Sequence, residues 1–188
     1  MWFRSSNGFR QADHGELLMN AESTMVLRWS LLIVIAYLLQ VGFLQDIRPF
    51  GVHPEIMLLL AICGGLVGGS ARGAIVGFCA GILNDLLLSG SLGVSALCFA
   101  LVGFAAGVLE DAVIRSSRLI SMAIATVGSA VGILMYACLS QLLGAHSLSD
   151  PRLWLIISIV SVVNGVLCLA ALPLCRWAEG LGLKSQAY

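Results

Sequence analysis

The sequence predicts an all-α integral membrane protein, a six-transmembrane-helix bundle with both termini cytoplasmic. Three observations carry this expectation. Of 188 residues, 59% are hydrophobic and only 11% are charged, with a mean hydropathy of +0.98. A soluble domain could not cover its surface with so few charges. Apolar runs long enough to cross about 30 Å of hydrocarbon recur along the chain. The cations also fall unevenly between them, as membrane topology requires.

The first run, residues 25–44, is long enough to span, with Arg28 at its edge and no small-residue cleavage site behind it. It reads as a retained helix and not as a signal peptide. Residues 1–24 form a charged cytoplasmic tail, and Met19 and Met25 leave a later start open. Residues 54–88 are too long for one span, and Ser70-Ala71-Arg72 interrupts them. They divide into spans 54–69 and 73–88, joined by a tight turn. The remaining spans are 92–109, 119–143 and 153–175, and residues 177–188 form the second tail.

With the N-terminus inside, the inner segments hold Arg4, Arg10, Arg28, Arg72, Arg115, Arg118, Arg176 and Lys184. The outer segments hold only Arg48 and Arg152. This partition uses every Lys and Arg and orients the chain by the positive-inside rule. Formal net charge is zero, so no basic stripe points to nucleic acid.

Lipid is as apolar as leucine, so membrane helices associate through close backbone approach and polar links. Gly65, Gly69, Gly73, Gly77 and Gly81 recur every fourth residue, with Gly64 and Gly68 beside them. Gly103 and Gly107 repeat the spacing, as do Gly128 and Gly132. Such faces serve the bundle's own packing or receive a partner's helix. Asp85 and Asn84 lie towards the outer end of the third span, just before Ser89-Gly90-Ser91. An ionisable group at membrane depth is a functional candidate; capping the turn or the next helix is the structural alternative for Asp85. Asn164, near the middle of the last span, has the position of an amide bridging two helices.

Catalytic equipment is missing. His14, His53 and His146 all lie outside the spans, and no phosphate-binding Gly-x-x-x-x-Gly-Lys-[Ser/Thr] occurs. Cys63, Cys79, Cys98, Cys138, Cys168 and Cys175 are scattered without metal-ligand spacing and read as small hydrophobes. The expectation is a protein that is not an enzyme and carries no cofactor or metal.

The segment Gly81-Ile82-Leu83-Asn84-Asp85-Leu86-Leu87-Leu88-Ser89-Gly90-Ser91-Leu92-Gly93 carries a Gly-x-x-x-Asp-Leu pattern followed by Ser-Gly-x-x-Leu-Gly. With it, residues 49–109 resemble the MreD family of rod shape-determining proteins. Pro54 and Val162-Val163-Asn164-Gly165-Val166-Leu167 resemble further family features. The resemblance implies a non-enzymatic adaptor of cell elongation and cell shape in the bacterial plasma membrane. Its implied partners are MreC-like and MreB-like proteins, RodA and a class B transpeptidase, acting in peptidoglycan biosynthesis. Asp85, Asn84, Ser89, Gly90, Gly93, Pro54 and Asn164 are the motif positions it singles out. In helix count and layout this family also resembles the substrate-binding subunits of energy-coupling-factor transporters, so a vitamin or small-solute carrier is the alternative function. Against it, the first span has Ala36 without an alanine four residues away, and the chain is only 7% aromatic.

Overall fold

The computed structural model describes residues 6–42, 55–87, 93–112, 118–144 and 153–180. These form five helices: α1 Ser6–Gly42, α2 Ile56–Leu87, α3 Val94–Ala112, α4 Arg118–Leu142 and α5 Leu153–Ala178. Spans at 22–42, 56–86, 118–142 and 153–178 are long and apolar enough to cross a membrane, and α3 is a shorter apolar helix. This is an all-α membrane protein. Helix α1 begins at Ser6, so the segment read from sequence as a tail continues upward as the first span.

Helix α2 has 32 residues and would measure about 48 Å if straight. It is not straight, because Gly69 has φ 80° and ψ 179°, outside helical geometry. Positions 65 and 73 would stand about 12 Å apart along a continuous helix. A Cβ built on Gly73 would instead lie 2.7 Å from Gly65 Cα, and one on Gly64 would lie 3.2 Å from Val76 Cβ. The chain therefore doubles back as a helical hairpin with arms 56–68 and 70–87. The reversal falls at Gly69, one residue before the expected Ser70-Ala71-Arg72. An L side chain is disfavoured at that positive φ, and the reversal uses the one residue type that adopts it readily.

The hairpin and α3 pack through backbone. A Cβ on Gly65 or Gly73 would strike the Gly103 carbonyl oxygen, and one on Gly77 would strike that of Phe99. One on Gly81 would meet Ala96, one on Gly103 the Gly73 carbonyl, and one on Gly107 the Ser70 amide. These glycines thus serve the bundle's own packing. Gly69, which shares their spacing, faces open space and acts through its conformation instead. Gly128 and Gly132 of α4 meet only side chains, those of Ile62, Val102 and Leu58. The core is centred on the first hairpin arm, where Met57, Leu58, Ala61, Ile62 and Cys63 are fully buried. Helix α1 lies at the edge, with Trp29, Leu32, Ile33 and Ala36 inward and Leu27, Leu31, Val34, Leu38 and Leu39 exposed.

Candidate functional site

Two polar clusters sit at opposite ends of the bundle. At the end carrying the hairpin reversal, Glu179 accepts a hydrogen bond from Trp29 Nε1 at 2.8 Å and pairs with Arg72 at 3.4 Å. Arg72 Nη2 also lies 3.3 Å from Met25 Sδ. Arg28 donates to the Trp177 carbonyl at 3.3 Å, and its guanidinium stands 5.2 Å above the Trp177 ring, within cation–π range. The start of the first span, the hairpin turn and the end of the last helix are thereby tied together.

The opposite end holds the residues that the sequence singled out. Asp85, 5% exposed at the end of the second hairpin arm, accepts three backbone hydrogen bonds. Gly93 N–H reaches Oδ2 at 2.8 Å, Ser95 N–H reaches Oδ1 at 3.1 Å and Ala96 N–H reaches Oδ2 at 3.3 Å. The first N–H groups of a helix have no intrahelical acceptor, and a carboxylate there also complements the helix dipole. Asp85 is thus the N-terminal cap of α3, supplied from the preceding helix and not from the local Ncap position. Gly93, with φ 99°, places its own amide on the same carboxylate. Of the two roles open to Asp85 in the sequence, the capping one is occupied.

Asn84 extends the cluster sideways. Gln40 of α1 donates from Nε2 to Asn84 Oδ1 at 3.2 Å, and Asn84 Nδ2 donates to Ser95 Oγ at 3.4 Å. Met57 N–H donates to Gln40 Oε1 at 3.2 Å. This chain of amides joins α1, both hairpin arms and α3 through partners that are mostly buried. Sequence reasoning missed Gln40 and Ser95. Gln40 near the end of an apolar span was a visible signal, whereas Ser95 lacks any distinguishing pattern.

Asn164 occupies the role expected of it. Its Nδ2 donates to Ser129 Oγ at 3.0 Å and to the Glu55 carbonyl at 3.4 Å, linking α5 to α4 and to the start of α2. Asn164 Oδ1 and Ser161 Oγ, one turn apart on α5, are buried with no protein group in hydrogen-bond reach.

Pro54, Ser89 and Gly90 lie outside the described residues. The cysteines are free, and three are brought together in space. Cys63 Sγ lies 3.8 Å from Cys168 Sγ, with Cys175 buried on the same helix as Cys168. No group of three or more His, Cys, Asp or Glu among the described residues has the arrangement to hold a metal ion.

No curated protein and no solved structure matches the chain. The family described as rod shape-determining protein MreD matches residues 23–176, most of the chain. The chain belongs to the MreD family of rod shape-determining proteins.

Proposed function

We propose that this chain is a non-enzymatic adaptor that gathers the cell-elongation machinery in the bacterial plasma membrane. It would hold MreC-like and MreB-like proteins together with RodA and its class B transpeptidase. Family membership ties it to rod shape determination. The observation that carries the adaptor reading is that its conspicuous polar groups are engaged in holding helices to one another. The Asp85 carboxylate is taken by three α3 amides, Asn84 by Gln40 and Ser95, and Asn164 Nδ2 by Ser129 and Glu55. A rigid bundle of this kind presents surfaces instead of performing a reaction.

In this reading the chain crosses the membrane six times. Each hairpin arm and α3 count as one pass, alongside α1, α4 and α5, and both tails are cytoplasmic. The gathering of Arg28 and Arg72 at the hairpin-turn end supports placing that end inside. The motif residues around Asp85 and Gly93 then lie at the outer edge, where they shape the surface offered to a partner's juxtamembrane segment. The solute-carrier alternative would use the Asp85 carboxylate to bind its cargo, and that group is already engaged.

Affinity purification of the chain from native membranes in mild detergent, with mass spectrometry of what accompanies it, tests the reading. Recovery of MreC-like and RodA-type proteins is the expected result. Recovery of a paired ATPase with a membrane coupling subunit would overturn it and establish the transport alternative.

A further inference from the structure

Only half of the Asn164 amide is engaged by protein. Its Nδ2 reaches Ser129 Oγ at 3.0 Å and the Glu55 carbonyl at 3.4 Å, whereas its Oδ1 meets no protein donor. Ser161 Oγ, three residues earlier on α5, is also without a protein partner. Asn164 is fully enclosed and Ser161 is 4% exposed, so neither oxygen can turn to bulk solvent or to headgroups. Buried polar atoms almost always have a partner, protein or water, and the hydrocarbon around a membrane bundle offers none. Two such oxygens on one buried face of one helix point to a shared partner.

The amide cannot satisfy its oxygen by turning over. Exchanging Oδ1 with Nδ2 would set oxygen against the Glu55 carbonyl, acceptor against acceptor. Its orientation is thereby fixed. Side chains on a helix lean towards the preceding turn, which carries the Asn164 amide towards Ser161.

Spacing and chemistry then choose the ligand. Residues three apart on a helix have Cβ atoms about 5–6 Å apart. The two oxygens do not bond each other, and two hydrogen bonds of about 2.8 Å in series cover a gap of that size. The bridging molecule must donate to Asn164 Oδ1, which only accepts, and can donate to or accept from the Ser161 hydroxyl. Water does both and is small enough for a packed interior. A hard cation such as calcium takes about 6–8 oxygens, and Ser161 Oγ and Asn164 Oδ1 supply two.

We propose that Ser161 and Asn164 hold one buried water molecule inside the bundle. It completes the amide that links α5 to α4 and to the start of α2, so this three-helix junction is set by a solvent molecule as well as by side chains. The site requires no partner protein and stands independently of the adaptor reading.

The test is radiolytic labelling of the full chain in mild detergent. An X-ray pulse turns bound water into hydroxyl radicals, which oxidise the side chains beside it, and mass spectrometry reads the sites. Val160 adjoins Ser161 and is 1% exposed, and Val76 and Val102, at 3% and 5%, are buried controls of the same residue type. In wild type, Val160 is expected to be oxidised several-fold faster than either control. Ser161→Ala should bring it down to their rate and lower the melting temperature, because the water and the partner of Asn164 Oδ1 are lost together. In a dry site the same substitution only removes an unpaired hydroxyl and would leave melting unchanged or raised. That result, or Val160 labelling no faster than the controls, or labelling that survives Ser161→Ala, would overturn the proposal. A melting temperature that rises when sodium replaces choline at constant ionic strength would overturn it too, by assigning the oxygens to a cation.

Discussion

Asp85→Ala is expected to remove the protein from the membrane fraction and its partners with it. The substitution leaves the amides of Gly93, Ser95 and Ala96 facing an apolar methyl group at the buried start of α3. Hydrogen bonds to a charged acceptor contribute about 1.5–3 kcal/mol each, and a buried donor left without a partner carries a penalty of about 1–3 kcal/mol. Even with non-additivity, a loss of about 3–5 kcal/mol is comparable to the stability of an ordinary domain. Asp85→Asn is milder in kind. Its single acceptor oxygen can serve the two amides at Oδ2, while its NH₂ is set against the Ser95 amide. Quantitative immunoblotting of membranes, with partner recovery normalised to the amount of chain present, separates the two roles. Abundance should fall in the order wild type, Asn, Ala, and recovery per molecule should stay constant. Normal abundance with lost recovery would mean that Asp85 contacts a partner directly.

Gly73→Ala should be as damaging, although it adds one methyl group to an excellent helix former. The methyl would meet the Gly103 carbonyl and lie 2.7 Å from Gly65 Cα, and both obstacles are backbone. Relief requires α3 to move off the hairpin along the line of Gly65, Gly77, Gly81, Gly103 and Gly107 contacts, which forfeits the close packing on which membrane helices depend. Overpacking of a tight interior commonly costs about 1–3 kcal/mol, and a rigid backbone obstacle belongs at or above the top of that range. Gly128→Ala is the control, because its methyl would lie 3.2 Å from Ile62 Cδ1, the mobile end of a flexible side chain. In thermal unfolding of purified protein, Gly73→Ala should melt far below wild type and Gly128→Ala close to it. Equal melting temperatures would contradict the packing account.

This difference between two glycines marks where the sequence stops being informative. Small residues at every fourth position announced a close helix contact, but not which helix would fill it. That depends on the hairpin reversal, and only the positive φ of Gly69 distinguishes it from its neighbours in the same series. The apolar runs were legible because the bilayer imposes a length on any helix that crosses it. Asp85 and Asn164 were legible because a polar group among apolar ones must have a reason. Their partners were not: Ser129 and Ser95 are ordinary residues made important by helices 35 and 10 positions away. The meeting of Cys63 with Cys168 was hidden for the same reason, since 105 residues separate them. Gln40, lying 44 positions from Asn84, was the one missed partner with a signal of its own.

In the proposed role this chain holds other proteins together. The most direct measurement is the amount of RodA-type synthase recovered with the MreC-like protein from membranes of cells depleted of this chain, against cells that retain it. An adaptor predicts that the two proteins remain at normal abundance but no longer purify together, and that the association returns with wild type. Undiminished co-purification after depletion would contradict the account.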